Sequence, residues 1–251
     1  MSGHSKWANI KHKKAKMDSQ KGKIFTKLAK EISVAAKEGG GDPEANYRLN
    51  AAVQKAKAAN LPADNIERAI KKGIGELGGV NYEQIVYEGY GPEGTAVLCQ
   101  ILTDNRNRTA GEIRHIFSRK GGNLGETGCV SWMFEQKGLL VVDLEEAGLE
   151  EDELLLMALE AGAEDITTEG SLAEIYTTTE SFNEVKNNLE ENGINLSAAE
   201  ISMIPKTTVT IETADKAEKI LALVDELEEH DDVQDVFSNY NIPDEIMESL
   251  N

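Results

Sequence analysis

The sequence predicts an α+β protein in three parts: an N-terminal three-helix domain, a discontinuous α/β domain, and an inserted ferredoxin-like (βαββαβ) domain. Three observations lead there. From Asp18 or Ser19 to about residue 75, apolar positions recur at 3.6-residue spacing, cut by glycine and proline. Gly78-Gly79 then opens a region of short, strand-like apolar runs separated by turn residues. Residues 138–205 spell a complete β-α-β-β-α-β order, and one further β-α-β follows it.

Residues 1–17 show no apolar period, so an arm that is extended or loosely ordered when alone is expected there. A helix starts at Asp18 or Ser19, either of which can cap it, and places Ile24, Phe25, Leu28, Ile32, Ala35 and Ala36 on one side. Lys23, Lys27, Lys30 and Lys37 fall on the other side as a stripe, and Gly39-Gly40-Gly41 ends the helix. Asp42-Pro43 reads as a cap with proline in the first helical position, opening a helix to about Ala59. Pro62 opens a third helix that ends at Gly73. Residues 82–90 and 95–103 read as strands, followed by a helix from Arg108 to Lys120 and a strand through Cys129 to Phe134. After the inserted part come a strand at 206–212, a helix at 214–229 and a strand near 231–239. Neither 80–135 nor 206–240 makes a sheet alone. The expected domains are therefore 1–79, then 80–137 plus 206–251, with 138–205 inserted.

Charge is segregated along this plan. The chain carries −19 overall, yet its first thirty residues hold nine lysines and a single acid, Asp18. Residues 1–75 carry +9, 76–137 carry −2, 138–205 carry −16 and 206–251 carry −10. Such asymmetry points to a polyanionic partner, most often nucleic acid, met by the first block. The acidic blocks would repel a phosphate backbone and keep the protein soluble.

Two basic groups are candidates for that contact. The arm and first helix offer Lys6, Trp7, Lys11, His12, Lys13, Lys14, Lys16, Lys21, Lys23 and Lys27: cations to neutralise phosphate and an indole to stack on an exposed base. The plainer reading is a solvated tail in which Trp7 staples the first helix. The second group is Arg106, Arg108, Arg114, Arg119 and Lys120, on and beside the helix after the second strand, with Arg108, His115 and Arg119 expected on its open face. The plainer reading pairs Arg108 with Glu112 one turn later.

Other features exclude function classes. Gly89-Tyr90-Gly91-Pro92-Glu93-Gly94 imitates a dinucleotide fingerprint but precedes a strand, not a helix. The acids at 150–153 suit the first turn of a helix, and those at 228–232 read as a solvated helix end. Cys99 and Cys129 have no partner at metal-ligand spacing and read as small buried side chains. No catalytic constellation, metal site or cofactor is expected. The longest apolar run, Leu154 to Leu159, is too short for a bilayer, and no secretory signal is visible, so a cytoplasmic protein without membrane contact is expected.

The segments GHSKWANIKHKKAKMD (3–18), KGKIFTKLAKEI (21–32), GGGDPEANYRL (39–49), LPADNIERAIKKG (61–73), YEGYGPEG (87–94) and TDNRNRTAGEIRHIFSRKGGNLGETGCVSWMF (103–134) resemble the YebC/PmpR family. That resemblance implies the same three-domain plan and a non-enzymatic regulator of gene expression. It implies nucleic-acid contact through Lys6, Trp7, Lys11, His12, Lys13 and Lys14, then Arg106, Arg108 and Arg119. Bacterial members are described as DNA-binding transcriptional regulators, while related proteins act on translation, at the ribosome or in mitochondria. DNA and ribosomal RNA both stay open as targets. A different class is an adaptor whose acidic domain docks a basic protein. No helix-turn-helix pattern is present.

Overall fold

The periodic apolar positions of the first helix need partners, and the two helices after it supply them. In a computed structural model, which describes residues 21–78 and 81–250 without the side chains of Lys21, Glu169, Asp244 and Glu248, α1 spans Lys21–Gly39, α2 Tyr47–Ala58 and α3 Ala63–Gly73. Leu28, Ile32, Ala35 and Ala36 of α1 form one core with Leu49, Ala52, Val53 and Ala56 of α2 and with Ile66 and Ala69 of α3. The arm of residues 1–17, and the cap expected at Asp18 or Ser19, lie outside the described residues.

The start of α2 corrects the sequence reading. The Asp42 carbonyl accepts from the Ala45 and Asn46 N–H groups, which closes a turn, and the helix begins only at Tyr47. Asn46 is the actual cap. Its Oδ1 accepts from Leu49 N–H at 3.1 Å, while its Nδ2 donates to Ala35 O and Gly40 O, both at 2.8 Å. One buried amide therefore satisfies an orphan donor at the head of α2 and ties it to two carbonyls at the tail of α1. Asp42 cannot do both, because it has no donor. α1 and α3 approach closely as well: Ser33 Oγ donates to Ala69 O at 2.8 Å, and a Cβ at Gly73 would lie 2.3 Å from Ser33 O.

Next comes an α/β layer. β1 (Glu83–Tyr90) pairs antiparallel with β2 (Ala96–Thr103), from Glu83↔Thr103 to Tyr90↔Ala96. Helix α4 (Arg106–Arg119) and the short strand β3 (Asn123–Leu124) follow. The continuous strand expected through Cys129 to Phe134 is absent. The buried Glu88 carboxylate takes the N–H groups of Gly128 and Val130 at 2.8 and 2.9 Å, so a side chain replaces the sheet ladder and the segment turns instead. The fourth strand of this sheet arrives from far along the chain. β9 (Val233–Ser238) pairs antiparallel with β2, giving the order β3-β1-β2-β9. Helix α8 (Ala214–Glu229) packs Leu223 and Leu227 with Ile113, Ile116 and Phe117 of α4 against Val97, Cys99 and Val236.

The remaining residues build a second sheet. β4 (Phe134–Asp143), a helical turn α5 (Leu144–Ala147), α6 (Glu151–Glu160), β5 (Asp165–Glu169), β6 (Leu172–Thr177), α7 (Phe182–Glu191) and β7 (Ala198–Pro205) form a sheet of order β5-β6-β4-β7. All its pairings are antiparallel, and α6 and α7 share a core with β4 and β6, which is the ferredoxin-like arrangement. β4 starts four residues before the expected boundary because Phe134↔Pro205 to Lys137↔Ser202 continue the same ladder. The strand expected at 206–212 shrinks to β8 (Val209–Thr210), which pairs in parallel with β10 (Tyr240–Asn241) and not with the first sheet. A last helix, α9, spans Asp244–Ser249.

By compactness the described residues fall into two units: 21–130 with 215–238, and 131–214 with 239–250. Among the described residues no helix is long and apolar enough to cross a membrane.

The double use of Asn46 gives a direct test. Asn46→Ala should lower the urea midpoint of unfolding by the equivalent of about 2–3 kcal/mol, since it removes a cap and strands two carbonyls. Asn46→Ser, which keeps a cap acceptor but not the reach to α1, should recover about 1 kcal/mol of that loss.

Candidate nucleic-acid interface

A helix ends with carbonyls that no later turn can satisfy, and its dipole makes that end negative. The end of α8 is in this condition, and α1 meets it with lysines. Lys23 Nζ donates to Glu229 O at 3.0 Å, Lys27 Nζ to Glu228 O at 2.7 Å, and Lys30 Nζ to Asp231 O at 2.8 Å. The spacing that made a stripe in the sequence is thus the spacing that follows one helix end. The stripe is committed within the fold over these three positions, and Lys37 reaches Asn81 Oδ1 at 2.7 Å.

Just beyond that helix end lies Asp232, whose side chain is only 6% exposed. It is the charged centre of the unit. Oδ1 meets Lys30 Nζ at 2.6 Å; Oδ2 accepts from Arg108 Nη2 at 2.7 Å, Thr109 Oγ1 at 2.8 Å and Thr103 Oγ1 at 3.1 Å. Its carbonyl accepts from Leu102 N–H at 2.8 Å. Burial alone would raise this carboxyl, but the donors from Lys30, Arg108 and Thr109 outweigh it and hold the group well below the ordinary carboxylate range. The reading of 228–232 as a solvated helix end is therefore corrected at Asp232. A buried carboxylate is retained only where cations and donors surround it, and here three separate elements supply them.

Helix α4 is set by the same centre. Asn105 caps it by accepting from Arg108 N–H at 3.1 Å. Arg108 then also reaches Asp104 at 3.0 Å and Glu112 at 3.9 Å, so its local pairing and its distant pairing coexist. Arg119 pairs with Glu226, and Lys120 meets the same carboxylate at 3.2 Å. Glu226 is pushed up by burial and pulled below its ordinary value by Lys120 and Arg119. Arg108 and Arg119 thus lean toward α8 and β9 and are not left as an open cationic face. Arg106, Arg114 and His115 are exposed, and among the described residues no carboxylate pairs with Arg106 or Arg114.

One group of ligand-type side chains has metal spacing: Glu112, His230 and Asp232 offer atoms within 4.8 Å of one another. Their chemistry is already spent. His230 Nδ1 accepts from Asp232 N–H at 3.1 Å, which leaves the ring hydrogen on Nε2, 2.9 Å from Glu112 Oε2. A cation there would compete with Lys30 and Arg108 for Asp232. Cys99 is fully buried and its thiol is pushed far up by burial, while Cys129 is half-buried; neither is in a disulfide.

Of the residues singled out in the sequence, Lys6, Trp7, Lys11, His12, Lys13, Lys14 and Lys16 lie outside the described residues, as does the Lys21 side chain. Lys23 and Lys27 sit at the α8 end, and Arg108, Arg119 and Lys120 sit in ion pairs. Sequence reasoning did not single out Arg68 and Lys72 of α3. They line a cavity of about 570 Å³ together with Tyr82. The available signal was Arg68 and Lys72 at i,i+4 spacing on one helix face.

Comparison with known proteins places this geometry among relatives. Residues 5–76 match a family model described as the TACO1/YebC protein N-terminal domain, and residues 82–240 one described as the TACO1/YebC second and third domain. A protein of Halothermothrix orenii named a probable transcriptional regulatory protein is 61% identical over 250 residues, covering 100% of this chain and 99% of its own length. One of the same name from Pelotomaculum thermopropionicum is 62% identical over 244 residues, 97% of this chain and 100% of its own. The crystal structure of a conserved hypothetical protein from Aquifex aeolicus superposes with a TM-score of 0.82 at 51% identity, over 95% of this chain and 98% of that one.

The Asp232 centre makes two linked predictions. Asp232→Asn should destabilise the protein by about 3 kcal/mol at pH 7, because Lys30, whose side chain is 12% exposed, keeps its charge and loses its carboxylate, while Arg108 keeps only Asp104 and Glu112. A carboxyl held below its unfolded value contributes stability above that value and loses it as pH falls. The difference between wild type and variant in urea melts should hence be flat above about pH 5 and shrink progressively below about pH 4.

Proposed function

This chain belongs to the TACO1/YebC family, and from that premise we propose that it regulates gene expression by binding nucleic acid through its amino-terminal basic segment. Its relatives carry the name of transcriptional regulators, which supports a regulatory role of the YebC type. The observation that carries the reading further is the charge map: +8 in the first thirty residues of a chain that is −19 overall. Lysines so concentrated suit a polyphosphate, and acids elsewhere discourage contact by the wrong face. The ion pairs of the folded part narrow the field. Lys23, Lys27, Arg108, Arg119 and Lys120 have intramolecular partners, so among the described candidates exposed Arg106 and Arg114 are the better ones for phosphate, to act with the lysines that the sequence concentrates at residues 6–16. Duplex DNA is the primary target in this reading. No catalytic step is assigned to it.

Replacing Lys11, Lys13 and Lys14 together by Glu should weaken binding to duplex DNA and flatten its dependence on salt. Three lost phosphate contacts should reduce the slope of log K against log salt by about 2.7. Titration of labelled duplex with both proteins between 50 and 300 mM salt measures this. Unchanged affinity and slope would remove the basic segment from the interface.

A further inference from the structure

Beside α1 and α3 lies a cavity of about 570 Å³ that the charge map does not foreshadow. Its lining combines apolar and aromatic side chains, Phe25 and Ala29 of α1, Leu61 before α3 and Tyr82 before β1, with the polar Thr26, Ser33 and Asn65. Leu77, 55% exposed, stands at its edge. Its charged lining is entirely cationic, with Lys30, Arg68 and Lys72, although the chain as a whole is strongly acidic. Lys30 is committed to Asp232, but among the described residues no carboxylate pairs with Arg68 or Lys72. The Lys72 Nζ lies 3.3 Å from the Tyr82 hydroxyl oxygen and 5.6 Å from the ring centroid, with Lys30 Nζ 5.9 Å from that centroid, so the tyrosine is held in place by cations.

A cavity lined in part by aromatic and aliphatic side chains, with two cations that no carboxylate among the described residues neutralises, is complementary to a ligand with a planar apolar body and an anionic end. We infer that this cavity receives one unpaired nucleotide of a single-stranded nucleic acid, its base against Tyr82, Phe25 and Leu77 and its phosphate against Arg68 and Lys72. The inference rests on the proposed nucleic-acid binding and adds an unpaired site to it. A strand fits better than a free nucleotide because the helix that walls the cavity is preceded in sequence by the lysines of residues 6–16, which would continue along neighbouring phosphates. A base held in a duplex cannot enter without leaving its stack, so the cavity selects unpaired positions.

The test uses the full chain and four probes: fluorescein-labelled dodecauridylate, the matching oligothymidylate, a labelled DNA duplex, and AMP. Arg68→Glu with Lys72→Gln should weaken both single strands about tenfold or more and the duplex less than twofold. Removing two contacts should reduce the single-strand salt slope by about 1.4. Tyr82→Leu should cost about tenfold on single strands while Tyr82→Phe keeps the affinity, which separates ring stacking from the hydroxyl contact with Lys72. Thermal melts confirm that each variant is folded. Equal loss on duplex and single strand would overturn the cavity as a base site, as would full competition by hexaglutamate, because either result would leave charge alone. AMP binding as tightly as the dodecamers would overturn the strand in favour of a small-molecule pocket. Unaffected single-strand binding would sink the cavity and leave the arm standing. Failure of the wild type to bind any strand or duplex would sink both.

Discussion

A single buried carboxylate, Asp232, holds the larger unit together. It draws Lys30 from the first helix, Arg108 and Thr109 from the helix after β2, and Thr103 from the end of β2. Each contact alone is modest. Their joint action is what matters, because together they offset the cost of keeping a charged side chain only 6% exposed. The position of α1 against the sheet is accordingly fixed by electrostatics as much as by apolar burial. The lysines at positions 23 and 27 extend the same grip along the end of α8.

This allocation changes how the cations of the chain should be counted. Formal charge treats every lysine as available to a partner. In the folded unit several are already neutralised by helix-end carbonyls or by carboxylates, and their attraction for outside phosphate is reduced by as much. What remains open is a smaller set: Arg106 and Arg114, which the sequence had already singled out, and Arg68, which no simple stripe in it would have selected. Net charge thus reports the sign of the partner it favours, whereas the contact surface is decided by which acids the fold brings near.

Much of the architecture was legible because it depends on local patterns. Helix α8 was delimited correctly at 214–229 by its apolar spacing and flanking residues, and the βαββαβ order of the inserted part follows from alternation and turn chemistry. The failures share a different origin. Asp232 stands in a run with Glu228, Glu229 and Asp231, and nothing within that run distinguishes it. Its fate is set by Lys30, about two hundred residues away. The segment around Cys129 is apolar enough for a strand, yet Glu88 reaches across and takes its amide hydrogens. Asp42-Pro43 carried a good helix-start signature and lost to Asn46, which could serve two helix ends at once. Wherever a side chain from a distant element supplies the hydrogen bond, local pattern ceases to decide.

The long return of β9 to pair with β2 has a consequence for synthesis of the protein. The chain's first sheet cannot close until residues 233–238 have left the ribosome, roughly a hundred residues after α4 and β3 are complete. At about 5–20 residues per second that is an interval of roughly 5–20 s. Throughout it, β2 presents an unpaired edge of mostly apolar residues, Ala96 to Thr103, to its surroundings or to another nascent copy. The acidic insertion is translated during this same interval, and its negative charge gives the growing chain a means of staying apart from its neighbours while that edge waits.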